Sequence, residues 1–230
     1  GVHSYSWDLD KREIENEAIN TADFIIHLAG ANIGDKRWTL KRKQQIIDSR
    51  VKTGQLIFSK LKEQNKDIKA FISASAIGYY GTITSDKIFT ETDPPSDDFL
   101  GDTCKQWEQM TDKFKSLDIR TVKIRSGIVL TKKGGVLSKM MIPIKIGIGS
   151  AIGSGKQYVP WIHIDDLCNI YIKAIEDKEM EGAYNAVAPD QKTNEEFTRI
   201  LARLLKKPFW FPNVPAFTMK LILGRMADIL

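Results

Sequence analysis

Three short apolar runs end in residues small enough, or polar enough, to meet a ligand. They are Phe24-Ile25-Ile26-His27-Leu28-Ala29-Gly30, Ala70-Phe71-Ile72-Ser73-Ala74-Ser75 and Thr121-Val122-Lys123-Ile124-Arg125-Ser126-Gly127. Ala29 and Gly30 leave room for a ligand or a neighbouring backbone to approach closely, an argument that needs no catalytic role. The other two ends add hydroxyls that can both donate and accept hydrogen bonds. Arg125 has two readings, a phosphate contact or an ion pair with a carboxylate such as Asp165. Arg50 either points toward these strand ends or lies on the solvent face of its helix.

Other candidates for chemistry weigh less. Gly147 to Lys156 is glycine-rich, but a P-loop needs glycine five residues before its Gly-Lys pair and Ser or Thr after the lysine. Those positions hold Ser150 and Gln157, so the stretch reads instead as a mobile loop over a substrate pocket. Cys104 lies near a helix start, where a thiol can be activated. Its place on one face with Trp107, Met110 and Phe114 points to packing. Three histidines, His3, His27 and His163, with no close Cys/His spacing, do not make a zinc site. His163 reads as structural, near the start of its helix.

The elements that must position these residues alternate between strand and helix. Val2 to Leu9 reads as a short strand and turn, and Lys11 to Asn20 as a polar helix. Ile46, Ile47, Leu56, Ile57 and Leu61 predict a long helix over about Thr39 to Lys62. A loop rich in Gly, Thr and Pro runs from Gly78 to Asp97, and a second glycine-rich stretch from Gly134 to Gly155. Trp161 to Asp166 opens a helix that Asp165 or Asp166 can cap, with Leu167, Ile170, Tyr171, Ala174 and Ile175 as its buried stripe. Ala183 to Val187 reads as a strand, Thr193-Asn194-Glu195-Glu196 as a capping box, and Pro215 as the start of a final helix. Apolar strands separated by amphipathic helices predict an α/β fold with a mainly parallel sheet and helices on both faces. In such open sheets ligands bind outside the carboxyl ends of the strands.

The bulk numbers agree. The 230 residues suffice for one substantial core with a smaller lobe, and 42% hydrophobic with 27% charged residues is ordinary for a globular chain. No apolar stretch has the length of a membrane span, and the first residues are no signal peptide. Cys104 and Cys168 fall in helical segments, which predicts buried thiols in a reducing, cytoplasmic setting. The net charge of +5 concentrates in Lys36-Arg37-Trp38-Thr39-Leu40-Lys41-Arg42-Lys43. That stretch reads as a solvated helix start rather than a nucleic-acid patch.

In order and spacing these landmarks resemble the extended short-chain dehydrogenase/reductase superfamily of the nucleotide-sugar epimerase type. His27-Leu28-Ala29-Gly30 is similar to its "HLAA" strand end, and Ser73-Ala74-Ser75-Ala76-Ile77-Gly78-Tyr79-Tyr80-Gly81 to its "SSSxxVYG" segment. Trp161 to Asp166 is similar to "xFIHVDD", and Tyr184-Asn185 to its late "YN" strand. Gly34-Asp35-Lys36-Arg37-Trp38, Tyr79-Tyr80-Gly81, Trp107-Glu108 and Gly153-Ser154-Gly155-Lys156-Gln157 resemble an atypical branch. That branch is the epimerase-like family often labelled a sugar-nucleotide epimerase or a putative cell-division inhibitor.

The resemblance implies a Rossmann-like core and a dinucleotide cofactor, NADP or NAD, with NADP favoured. It assigns Leu28, Ala29, Gly30, Ser73, Ala74, Arg125, Ser126 and Gly127 to cofactor binding and Ser75 to the substrate. Two departures stand out. The family's opening strand, glycine-rich turn and helix do not precede Phe24, so the chain reads as a fragment with its N-terminal βαβ unit missing. The positions of the family's YxxxK pair hold Leu100 and Cys104, which cannot move a proton or supply a positive charge as that pair does. Tyr79 and Tyr80 have two readings, replacements for the acid/base or a cover over the cofactor edge.

The core is expected over 1–135 and 158–188, with a smaller substrate-side lobe from 136–157 and 189–230. The expected function is NAD(P)-dependent epimerase, dehydratase or oxidoreductase chemistry on a small hydroxylated substrate, free or nucleotide-linked. The alternative is a non-catalytic, dinucleotide-sensing regulatory protein. The expected partner is a small molecule, with neither nucleic acid nor membrane. Oligomeric state is not legible.

Overall fold

The computed structural model describes residues 1–210, 212–215, 217, 218 and 221. It begins with a hairpin of two short strands, β1 (Trp7–Asp8) and β2 (Glu13–Ile14), followed by α1 (Asn16–Asn20). The polar helix expected from Lys11 therefore starts later. Arg12 takes a left-handed turn conformation (φ 58°) that closes the hairpin and cannot belong to a right-handed helix. The chain continues through β3 (Phe24–His27), α2 (Leu40–Gln64), β4 (Ala70–Ala76), α3 (Phe99–Asp112), β5 (Arg120–Ser126) and β6 (Ile128–Leu130). It then forms α4 (Gly135–Lys145), β7 (Trp161–His163), α5 (Ile164–Glu176), β8 (Gly182–Ala186) and α6 (Asn194–Leu204).

Four strands form one all-parallel sheet in the order β3-β4-β5-β8. Both faces are covered, which is why the strands read as continuous apolar runs rather than alternating ones. On one side Ala70, Ile72, Val122 and Ile124 pack with Leu167 and Ala174 of α5. On the other, Phe71 meets Ile57 and Leu61 of α2 and Met110 of α3, with Phe114 stacked on Phe71 at 3.8 Å between ring centroids. Side chains on successive strand residues point to opposite faces. Because β4 and β5 pair Ser75 with Arg125, those two side chains share the α3 face.

The 25-residue helix α2 is delimited by its own chemistry. The Thr39 side chain accepts a hydrogen bond from the Arg42 N–H at its start, and Asn65 closes it in a left-handed conformation. Thr193 and Glu196 form the expected capping box on α6. At α5 the cap differs from expectation: the His163 side chain, not Asp165 or Asp166, accepts from the Asp165 N–H. Residues 161–163 are spent on β7, which pairs in parallel with β6 and fixes His163 as the last residue before the helix.

Two further corrections concern burial and order. Cys168 is exposed on α5, whereas Cys104 is buried. On α5 the buried positions are Leu167 and Ala174, and Cys168 lies off that face. The glycine-rich stretch contains α4, which runs to Lys145 despite Pro143 within it. Beyond α4, bridges between Ile152 and Val214 and between Tyr158 and Thr193 tie residues 151–158 to the α6 region. The final helix expected from Pro215 lies largely outside the described residues.

Candidate functional site

The carboxyl ends of β4 and β5 meet α3 in a buried polar cluster. The Ser75 hydroxyl donates to Glu108 Oε1 at 2.7 Å. Arg125 grips the same carboxylate with both forks, Nε to Oε1 and Nη2 to Oε2, each at 2.8 Å. Its Nη1 donates to the Tyr80 hydroxyl at 2.8 Å, and its guanidinium lies 3.6 Å from the Tyr79 ring centroid. The Tyr80 hydroxyl in turn lies 2.8 Å from Asn185 Oδ1 and 3.0 Å from the Thr90 carbonyl, sharing its single proton between them. Ser75, Arg125 and Glu108 are 3%, 3% and 6% exposed. Each polar group is therefore satisfied inside the protein, as burial demands.

Electrostatics follow from this packing. Burial alone would lower the Arg125 pKa, but the hydrogen bonds and charge of Glu108 raise it instead, so the guanidinium stays charged. Burial raises the Tyr79 pKa, and the Arg125 charge offsets only part of that. Cys104, beside Ser75, has its thiol pushed up to about 12, first by burial and then by the Glu108 charge. A neutral thiol of this kind is no nucleophile at neutral pH.

The end of β3 is built differently. His27 is buried; Trp107 Nε1–H donates to its Nδ1 at 3.4 Å, so its protonated Nε2 faces Thr53 Oγ1 at 2.7 Å. Burial, and then the Arg50 charge, hold its imidazole down at about 4. Beyond His27 the chain opens to solvent: Leu28 is 63% exposed and Gly30 is exposed, with Ala29 half-buried. Arg50 rises from α2 to this lip, its guanidinium 4.9 Å from the Trp107 ring centroid. It thus points toward the strand ends.

The structure gathers Ser75, Tyr79, Tyr80 and Arg125 into one cluster and places Leu28, Ala29 and Gly30 on a separate, open lip. Arg125 finds its carboxylate in Glu108, not Asp165. Ser73 is fully buried and its hydroxyl donates to the Ala74 carbonyl. Ala74, Ser126 and Gly127 are half-buried, and the Ser126 hydroxyl donates to the Ser75 carbonyl at 3.3 Å. Close approach at Gly127 is to the protein itself: a Cβ there would lie 2.7 Å from the Pro160 carbonyl oxygen. The residue whose role sequence reasoning missed is Glu108. The available signal was its position four residues after Cys104 and next to Trp107, a carboxylate set into an apolar helical stripe.

Among the described residues, no group of three or more His, Cys, Asp or Glu side chains could hold a metal ion, and no helix is long and apolar enough to cross a membrane. Two open depressions among the described residues lie at the hairpin and the far end of α2, beside Trp7, Ile14 and Lys60, away from the strand carboxyl ends.

Comparison with known proteins adds relatives to this geometry. The profile of the NAD dependent epimerase/dehydratase family matches residues 3–187. An epimerase family protein of Mycobacterium leprae is 33% identical over 222 residues, covering 96% of this chain and 71% of that protein. A Staphylococcus aureus epimerase family protein is 36% identical over 220 residues, 94% and 71% of the respective chains. Among solved structures, human epimerase family protein SDR39U1 with NADPH superposes with a TM-score of 0.82 at 31% identity, over 91% of this chain and 71% of that one. The nucleoside-diphosphate sugar epimerase of Corynebacterium glutamicum gives 0.75 at 31% identity, over 97% and 48%.

Proposed function

The chain belongs to the NAD-dependent epimerase/dehydratase family, and on that premise we propose that it binds a nicotinamide dinucleotide along the carboxyl ends of β3, β4 and β5. The substrate there is small and hydroxylated, free or nucleotide-linked. The observation that carries this reading is the open β3 lip: exposed Leu28 and Gly30 flanked by the Arg50 cation, at the edge of the sheet end where such folds bind ligands. Leu28, Ala29 and Gly30 present backbone to the cofactor, and Ser126 and Gly127 extend the same row across β5. NADP is preferred to NAD, which the human relative solved with NADPH supports.

A bound nicotinamide supplies the reversible hydride acceptor. The chain's own contribution is to orient the substrate and place its proton. Ser75 points its proton at Glu108, so the hydroxyl accepts from a substrate hydroxyl through its lone pairs and has no proton left to donate to a carbonyl. With 3% exposure, Ser75 meets substrate only if the packing around it opens. Arg125 and Glu108 hold this arrangement; they are positioning residues.

A second reading has its own observation. Three proton-bearing groups near the strand ends are held: Ser75 by Glu108, Tyr80 by Arg125 and Asn185, and Cys104 by burial. Holding these groups in place suits a protein that binds dinucleotide without turnover. Calorimetric titration with NADPH and NADH, followed by a hydride-exchange screen over hydroxylated substrates, separates the readings. Binding with exchange supports the enzyme, binding without exchange over a broad panel supports the sensor, and absence of binding contradicts both.

A further inference from the structure

Arg50 has no obvious reason to be where it is. It is half-buried on α2 and stacks on Trp107, yet it forms no ion pair with a carboxylate among the described residues. Its Nη1 donates to the Ile46 carbonyl at 2.9 Å and the Ala31 carbonyl at 3.2 Å, with Ser49 Oγ at 3.5 Å. Its Nε and Nη2 bond no acceptor among the described residues, and neither is a buried orphan, so that edge reaches solvent. The charges nearest it give no compensation. Arg42 is a second cation, His27 is neutral, and the Cys104 thiol is neutral. Removing a cation from water without a counter-charge is unfavourable, and burial accordingly lowers the Arg50 pKa.

Gly30 shows which way the free edge is presented. A Cβ at Gly30 would lie 2.9 Å from the Arg50 guanidinium carbon and 3.1 Å from both terminal nitrogens. No side chain intervenes, so the planar fork lies flush against the strand-end backbone and forms part of the floor of the open lip. A guanidinium offered edge-on is suited to a matched pair of oxygens. Trp107 fixes the plane from beneath and the two carbonyls fix its rotation, so little freedom remains to be lost on binding.

We propose that Arg50 is a binding residue for the dinucleotide, its Nε–Nη2 edge donating to a pair of ligand oxygens, either on a phosphate or on the vicinal hydroxyls of a ribose. The inference rests on the functional reading above and names a cation of that site that is preorganised and has a free edge.

The test is calorimetric titration of NADPH into the wild-type protein, Arg50→Met and Arg50→Lys. Methionine keeps an unbranched apolar stem against Trp107 while removing the donors. Wild type should bind saturably, Arg50→Met about 10- to 100-fold more weakly, and Arg50→Lys in between, as expected for loss of charge-assisted hydrogen bonds. Competition against bound NADPH by inorganic pyrophosphate and by reduced nicotinamide riboside assigns the oxygens. Whichever competitor loses potency in Arg50→Met identifies phosphate or diol. Should the variants not fold, phenylglyoxal labelling of the native protein carries the test. Saturating NADPH should slow modification of Arg50 several-fold and leave that of Arg199 unchanged. Equal NADPH affinity in wild type and a folded Arg50→Met, or labelling of Arg50 unaffected by NADPH, overturns the role of Arg50 alone. No binding by wild type overturns the functional reading as well.

Discussion

Arg125 and Glu108 form a bidentate ion pair, two bonds of 2.8 Å between side chains that are 4% and 7% exposed, joining β5 to α3 at the end of the sheet. Breaking one partner of such a pair leaves a buried charge uncompensated, a loss of about 3–5 kcal/mol. Glu108→Gln and Arg125→Met should each lower the unfolding free energy extrapolated from urea melts by an amount of that order. The double variant should be less destabilised than the sum of the two, because it leaves neither charge alone. Additive losses would show that the pair is not coupled in solution.

The strands could be read because burial on both faces makes them continuous apolar runs, and α2 because its stripe is long and its Thr39 cap conventional. Glu108 was hidden because a single glutamate in a helix ordinarily belongs to a solvated face. Its partner lies 17 residues away, on β5. Arg125 was visible as a candidate, but choosing its carboxylate required knowing that Ser75 and Arg125 stand opposite each other in register. Helix α4 was masked by its glycine flanks and Pro143. The exposure of Cys168 was readable: the stripe of Leu167, Ile170, Tyr171, Ala174 and Ile175 excludes it, and a place in a helix does not by itself bury a thiol.

Stability should fall in mild acid because of His27. Its imidazole is held at about 4, below the unfolded value near 6.5, so the folded state binds fewer protons than the unfolded chain between these pH values. The contribution is complete above pH 6.5 and is lost as pH falls toward 4, amounting to on the order of 3 kcal/mol. Urea melts from pH 7.5 to 4 on wild type and His27→Gln check this. The slope between pH 6.5 and 4 should be shallower in the variant, and an identical slope would remove His27 as its source.

Thiol labelling should distinguish the two cysteines. Cys168 is exposed and should react with a maleimide in the native protein, whereas Cys104, buried and held protonated, should react only on unfolding. Mass spectrometry of the labelled peptides reads this directly.

Gly101 admits no side chain. A Cβ there would lie 2.1 Å from the Ser96 carbonyl oxygen, so Gly101→Ala must push the 81–98 loop away from the first turn of α3. Helix propensity alone would favour alanine by roughly 0.5–1 kcal/mol. The prediction is nevertheless net destabilisation, by about 1–3 kcal/mol as for other overpacked sites. Thermal or urea unfolding decides the sign.

Ser75→Ala separates binding from chemistry. The hydroxyl is one of three donors to Glu108, so its loss should cost only about 1 kcal/mol of stability. Cofactor affinity should be unchanged, while any hydride exchange with a hydroxylated substrate should fall at least about tenfold if Ser75 positions that hydroxyl. Unaltered exchange would reduce Ser75 to a packing residue.

The central claim is that the dinucleotide lies along the strand carboxyl ends, and amide chemical-shift mapping with added NADPH or NADH tests it most directly. Saturable shifts are expected at Gly30, Ala31, Ser126 and Gly127, with Trp7 and Glu13 of the hairpin unmoved. Shifts confined to the hairpin depression, or none with either cofactor at saturating concentration, would contradict it.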